Sequence, residues 1–327
     1  MYKIAIIGVG QLGRRHLQAL SLTDLNINIE LVEPYKPMQE TALEHYEQMP
    51  HNAKVHSITF YDNISELSDE LDLVVVATTA NVRRFVVDEL LDNKKVKNII
   101  LEKVLFQHFD DYDHFTKRFK ERNINVWVNH PRRLFSFYNQ FTSELKNSSQ
   151  VSYHVQGGEW GMACNALHFL DHLQMIQKDN NPQINIDTTM LLPEVIESKR
   201  QGCYEVYGTL SGNVGNGSFS LTCTKGEVIP TTIFIMADSV RIIVDEYKGI
   251  AMYARKDNDW KWENYVGKII SYQSELTALV ADKILKTGSS SLPTYNDAST
   301  LHKPFIETIQ DKIESTLGKT FGLCPIS

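Results

Sequence analysis

Three clusters of residues in this chain have the types and spacing that chemistry needs. The first is Gly8-Val9-Gly10-Gln11-Leu12-Gly13, whose glycine spacing suits a backbone that must turn tightly and come close to a phosphate. The second is Glu102-Lys103, directly after the apolar run Ile99-Ile100-Leu101. A lysine leaving a buried strand can hold negative charge as it develops on a substrate oxygen, although on spacing alone the pair also reads as a surface charge pair. The third is Cys164, Asn165, His168 and Asp171, which share one face of a helix at i, i+3 and i+4 steps. Histidine titrates near neutrality, so His168 is suited to move a proton on or off a hydroxyl; the structural alternative is a buried histidine bonded to Asp171. His168 and His172 are also four apart, but they lack the glutamate of the metallopeptidase pattern and a third ligand, so no metal is expected.

The glycine cluster has the right surroundings for a dinucleotide. Tyr2 to Ile7 is a short apolar run typical of a buried parallel strand, and Arg14 to Leu22 continues as a helix. Gly8 permits the turn, Gly10 admits the pyrophosphate, and Gly13 lets the helix approach the sheet, with Gln11 and Leu12 at the helix N-terminus. Glu33 ends the second strand, 20 residues beyond Gly13, where a carboxylate accepts hydrogen bonds from ribose hydroxyls and repels a 2′-phosphate. NAD is therefore the expected cofactor, while Lys36 nearby keeps NADP open. Thr78, Thr79 and Asn81 follow the fourth strand; they either line the cofactor or cap the next helix.

Two kinds of architecture position these groups. In residues 1–128, apolar strand runs alternate with helices, which gives βαβ units and a doubly wound parallel sheet. The strands are expected at Tyr2–Ile7, Ile27–Val32, Val55–Ile58, Leu73–Ala77, Val96–Leu101 and Asn125–Val128, with a short helix over Asp62 to Leu71. From Asn129-His130-Pro131 the texture changes. Helices are expected over Leu134–Leu145 and Cys164–Ile176, followed by alternating apolar and polar strands between Ser152 and Met252. That pattern gives residues 129–327 an α+β character with a mostly antiparallel sheet. Helices over Ile269–Lys286 and Ala298–Leu317 close the chain, and the last is a candidate to pack back on the first domain.

Composition narrows the function classes. The 327 residues are 42 % hydrophobic and 22 % charged, which is globular, and the net charge of -7 offers no general attraction for nucleic acid. No stretch reaches the roughly 18 apolar residues that a membrane-spanning helix needs. The first strand opens at residue 2, leaving no room for a signal peptide before it, and Cys164, Cys203, Cys223 and Cys324 show no metal-ligand spacing. A cytoplasmic protein with reduced thiols is expected.

Taken together, the chain resembles the Gfo/Idh/MocA oxidoreductases over nearly its full length. The resemblance rests on Gly8 to Gly13 with the trailing Arg14-Arg15-His16, Thr79-Ala80-Asn81, Glu102-Lys103, Asn129 with Arg132-Arg133, and Ala166-Leu167-His168-Phe169-Leu170-Asp171. It implies a Rossmann domain joined to an α+β domain that forms homodimers or homotetramers through its sheet. It also implies hydride transfer between NAD(P) and a sugar-like hydroxyl or ketone, with Lys103 and His168 catalytic. Asn165, Cys164, Asp171, Arg132 and Arg133 then become substrate-side residues, and Glu102 and Lys103 border the cofactor. Three positions depart from the pattern: Val104 stands where proline usually follows the lysine, Cys164 where an acid precedes the histidine, and Arg84 where a histidine follows the Thr-Pro-Asn turn. These departures suggest a divergent branch with an unusual substrate and keep in play a non-catalytic sensor of dinucleotide and sugar. A third reading, an NAD-dependent glycoside hydrolase, would need a further base or metal-binding set that the sequence does not show.

Overall fold

A computed structural model describes residues 1–179 and 182–327. The chain divides into two compact units. The first comprises residues 1–106, 110–134 and 271–296; the second comprises 107–109, 135–270 and 297–327.

The core of the first unit is a six-stranded sheet of β1 (Tyr2–Ile7), β2 (Ile27–Val32), β3 (Val55–Tyr61), β5 (Leu73–Val76), β7 (Asn98–Leu101) and β8 (Asn125–Val128). Its order is β3-β2-β1-β5-β7-β8, and every pairing is parallel. Two-residue strands β4 (Glu70–Leu71) and β6 (Lys95–Val96) form a small separate ribbon. Helices α1 (Gln11–Leu20), α2 (Lys36–Glu47), α3 (Ala80–Asn93) and α4 (Phe109–Glu121) connect the strands. The order reverses between β1 and β5, so the crevice at their carboxyl ends is where a doubly wound sheet takes its ligand. The apolar runs of β5 and β7 are buried along their whole length, and Ile4, Ile6, Leu73, Val75 and Ile100 share one core, whereas β3 at the sheet edge is only partly buried.

The first unit differs from the expected span of 1–128 in three respects. It leaves out 107–109, continues to Leu134 and takes back residues 271–296, which contain α8 (Gln273–Thr287). The cause is apolar: Val280, Ala281 and Ile284 of α8 complete the core beside Leu17 and Leu20 of α1. The same segment covers the sheet edge, where Val128 N–H donates to the Pro293 carbonyl at 3.0 Å. The expected helix at Asp62–Leu71 shrinks to a single 3-10 turn, Ile64–Glu66, with the Glu66 carboxylate accepting from the Asn63 amide at 3.1 Å.

The second unit is built on a nine-stranded sheet: β9 (Val151–Gly158), β10 (Ile184–Asp187), β11 (Leu191–Glu197), β12 (Tyr204–Val214), β13 (Gly217–Thr224), β14 (Ile229–Ala237), β15 (Val240–Asp245), β16 (Ile250–Arg255) and β17 (Trp262–Val266). All of its pairings are antiparallel except β9 with β13. Helices α7 (Met162–Ile176) and α9 (Tyr295–Leu317) are its long helices. The alternation expected of a half-covered sheet is present, for β13 and β15 bury every second residue. The expected helix at Leu134–Leu145 is broken into a 3-10 turn (Pro131–Leu134), α5 (Ser136–Asn139) and α6 (Thr142–Lys146). Its Ser, Phe, Tyr, Asn and Thr residues have weak helix propensity.

Candidate active site

Two of the three glycines after β1 each meet a separate steric demand. Gly8 has φ +87°, and Gly13 packs so closely that a Cβ would lie 2.0 Å from the Gly8 carbonyl oxygen. A side chain at Gly8 would also come within 3.2 Å of Thr78 N, across the switch point between β1 and β5. Gly10, by contrast, faces open space. It caps α1 without a side-chain hydrogen bond, so the first amides of the helix still point outward as donors for an anion. Beside them, Thr78 Oγ1 is buried without a protein hydrogen-bond partner. A dinucleotide pyrophosphate fits this set of groups.

Glu33 sits at the end of β2 with only 9 % exposure. Its two oxygens accept hydrogen bonds from Val9 N–H (3.1 Å) and Tyr35 N–H (3.2 Å), which aim the carboxylate at the glycine turn. A carboxylate has about four lone-pair sites, so capacity for ribose hydroxyls remains. Lys36 Nζ is held 2.8 Å from Asp62 Oδ1, so its charge is already engaged. Thr79 precedes α3 but makes no side-chain cap hydrogen bond, which removes capping as the reason for a threonine there; Asn81 is exposed on the first turn.

Lys103 leaves the end of β7 half-buried, and the Lys103–Val104 peptide is cis. The glutamate before it is no surface charge, since Glu102 is 3 % exposed. Glu102 Oε1 lies 2.9 Å from His16 Nε2 and accepts from Asn129 Nδ2 at 2.5 Å. His16 Nδ1 lies 2.8 Å from Thr277 Oγ1, and Asn129 Nδ2 also donates to Gln273 Oε1 at 2.8 Å, so α8 closes the network. Burial alone would push the Glu102 carboxyl up; hydrogen bonds from His16 and Asn129 and the nearby Arg83 charge hold it below its ordinary range.

Of the two adjacent arginines, Arg83 and not Arg84 is the interior residue. Arg84 is partly exposed and pairs with Asp88 (2.7 Å) and Asp111, whereas Arg83 is 1 % exposed and reaches the loop around Lys103. Adjacent arginines on one helix differ by about 100° in direction, so only the helical phase, which the sequence reading did not fix, distinguishes them. Arg132 and Arg133 lie in the 3-10 turn after β8, each partly exposed. Burial, with the charges of Arg133, Lys103 and Arg132, holds the buried His130 well below its ordinary 6.5, so it is neutral. These three cations therefore share one neighbourhood in the first unit.

In the second unit, Cys164, Asn165 and His168 are all partly exposed on one stripe of α7. Asn165 Nδ2 donates to the Trp160 carbonyl at 2.7 Å, so part of its amide serves the loop before the helix. Glu205, from β12, accepts from Ala163 N–H at 3.0 Å and places a carboxylate at the same helix end, a group the sequence reading missed. Asp171 is fully buried. So is His172, whose Nδ1 lies 2.9 Å from the Tyr153 hydroxyl. The packed core histidine of this helix is thus His172, and His168 is the accessible one. Among the described residues no group of His, Cys, Asp and Glu is placed to hold a metal, and none of the four cysteines is in a disulfide. No helix among them is long and apolar enough to cross a membrane.

Residues 2–130 match the oxidoreductase family Gfo/Idh/MocA, NAD-binding Rossmann fold. No curated protein matches the chain by sequence. Solved structures share the fold across nearly the whole length. UDP-N-acetylglucosamine 3-dehydrogenase from Acidithiobacillus ferrooxidans is 13 % identical with a TM-score of 0.67, over 96 % of this chain and 98 % of that one. An Agrobacterium radiobacter oxidoreductase in complex with NAD+, L-tartaric acid and magnesium is 14 % identical with a TM-score of 0.69, over 97 % of both chains. The transcriptional regulator Gal80p from Kluyveromyces lactis is 14 % identical with a TM-score of 0.67, over 96 % of this chain and 92 % of that one. Residues 2–130 are thus similar to the NAD-binding domain of the Gfo/Idh/MocA oxidoreductases, and the whole chain shares the fold of these solved structures.

Proposed function

We propose that this chain, which carries the Gfo/Idh/MocA dinucleotide-binding domain, is an NAD-dependent oxidoreductase acting on a hydroxyl or keto carbon of a sugar or sugar derivative. The observation that carries the proposal is Lys103: a half-buried lysine at the ligand-facing end of β7, next to a buried Glu102 whose Oε1 is held by His16 and Asn129. When bound, NAD supplies hydride acceptance, or donation in its reduced form. Gly8, Gly10, Gln11, Leu12 and Gly13 cradle its pyrophosphate, Glu33 holds the adenosine ribose, and Thr78, Thr79 and Asn81 border the remainder, with the buried Glu102 supporting the strand end behind them.

The chain's own residues handle the proton and the charge. As a hydroxyl is oxidised, one group takes its proton and another tolerates charge on the oxygen. His168 takes the proton and Lys103 orients the oxygen; a desolvated lysine is also able to exchange roles with it. Cys164, Asn165, Arg132 and Arg133 hold the rest of the substrate, the arginines favouring one with a carboxylate or phosphate. Asp171, being fully buried, acts on the helix or on the histidine rather than on the substrate. The test is a panel of sugars, sugar acids and nucleotide sugars offered with NAD and read at the reduced-nicotinamide absorbance.

A second reading is a sensor that binds dinucleotide and sugar without turnover. Cys164, a thiol where the family pattern has an acid, favours it, and a regulator shares the fold. Tight NAD binding with no absorbance change on any member of the panel would select this reading.

A further inference from the structure

A single guanidinium joins the two loops that carry the cofactor-side threonine and the proposed catalytic lysine. Arg83 lies in the first turn of α3 and is 1 % exposed. Its Nη1 donates to the carbonyls of Glu102 (2.6 Å), Val104 and Leu105 (3.0 Å), and its Nη2 donates to the carbonyl of Thr78. The carbonyls of the residues on both sides of Lys103 are thereby fixed to α3. The same group anchors the turn after β5, next to the glycine cradle.

We propose that Arg83 is a positioning residue for Lys103, an inference that rests on the assignment of Lys103 to the reacting oxygen. The physical case begins with the cost of burying a guanidinium, which is several kcal/mol unless its donors and its charge are both answered. Here irregular loops supply inward-facing carbonyls for its two terminal nitrogens, and the buried Glu102 carboxylate answers the charge. Arginine suits the task because its planar fork serves several acceptors in fixed directions. A lysine ammonium is a single point and cannot span both loops. A displacement of about 1 Å at a catalytic group can cost about 100-fold in rate, so a clamp on either side of Lys103 bears directly on its function.

The test uses the full-length protein, with acetic anhydride as the probe of Lys103 and NAD as the probe of the cradle. Acetylation of Lys103 is followed by mass spectrometry against the exposed Lys54 and Lys97 in wild type, Arg83→Met and Arg83→Lys. We expect the Lys103 rate, relative to those two lysines, to rise on the order of threefold or more in Arg83→Met as the loop opens locally. Arg83→Lys, which keeps the charge and part of the hydrogen bonding, should fall between the two. If Arg83→Met does not fold, Arg83→Lys alone decides, with a faster Lys103 rate expected. An unchanged relative rate in a folded variant would overturn the proposal. Failure of wild type to bind NAD, or normal turnover in Lys103→Met, would overturn the functional reading while leaving the labelling result to stand by itself.

Discussion

His16 Nε2 lies 2.9 Å from Glu102 Oε1, and neither side chain is open to solvent. The histidine comes from the helix that follows the glycine cradle, the glutamate from the strand end that presents Lys103. The two ends of the proposed site in this unit are therefore joined through one buried pair, and Asn129, Thr277 and Gln273 complete its hydrogen bonding.

Removing one member of such a pair leaves the other buried without its partner. Glu102→Leu should therefore destabilise the first unit by about 3–5 kcal/mol. Glu102→Gln, which keeps a hydrogen-bonding shape, should cost less. Thermal melting of both variants checks this order, and equal melting temperatures for wild type and Glu102→Leu would contradict it.

Two buried groups contribute to the pH dependence of stability with the same sign. The folded-state value of Glu102 is below its ordinary 4.5, so its contribution is present above that pH and is lost as pH falls through the folded value. His130 is also depressed, well below its ordinary 6.5, so unfolding takes up a proton there and stability declines as pH drops below that point. Wild type should thus begin to lose stability below about pH 6.5 and lose more below about pH 4.5. His130→Gln should flatten the upper step in denaturant titrations at successive pH values. If the upper step is the same in that variant, His130 is not its source.

Cofactor choice is expected to rest on Glu33. NAD should bind more tightly than NADP, and Glu33→Ser should narrow the difference by removing the negative charge that opposes a 2′-phosphate. Because Glu33 also accepts from Val9 and Tyr35, the same variant should lower NAD affinity as well. Calorimetry with both dinucleotides measures this, and tighter NADP binding by wild type would refute it.

The sheet of the second unit leaves one apolar face partly exposed, with Met236 at 51 %, Met252 at 37 % and Trp262 at 40 %. A patch of this kind is expected to be covered by a second copy of the chain. Light scattering at micromolar concentration should give at least a dimer, and Trp262→Glu should weaken it. A monomeric wild type would rule this out.

Much of the first unit was legible because a parallel strand buried on both faces must be apolar along its length, as Leu73 to Val76 is. The cradle was legible because steric demand restricts Gly8 and Gly13 to a single residue type. Less could be read where a role depends on helical phase or on distant partners. Nothing near Arg83 in sequence shows that it, rather than Arg84, turns inward. Glu205 lies 42 residues from its helix-end contact at Ala163. The helix that returns to the first unit is α8, and only its packing against α1 reveals it. The broken helix after Pro131 and the reduced turn at Ile64 show the usual limit where local propensity is weak.

The most direct test of the central claim compares wild type, Lys103→Met and His168→Ala with NAD and the panel of sugars, sugar acids and nucleotide sugars. Reduced-nicotinamide absorbance gives turnover, and NAD titration gives affinity. We expect wild type to turn over at least one member and each variant to lose about 100-fold or more in rate while binding NAD nearly as well as wild type. Near-normal turnover in both variants would contradict the account.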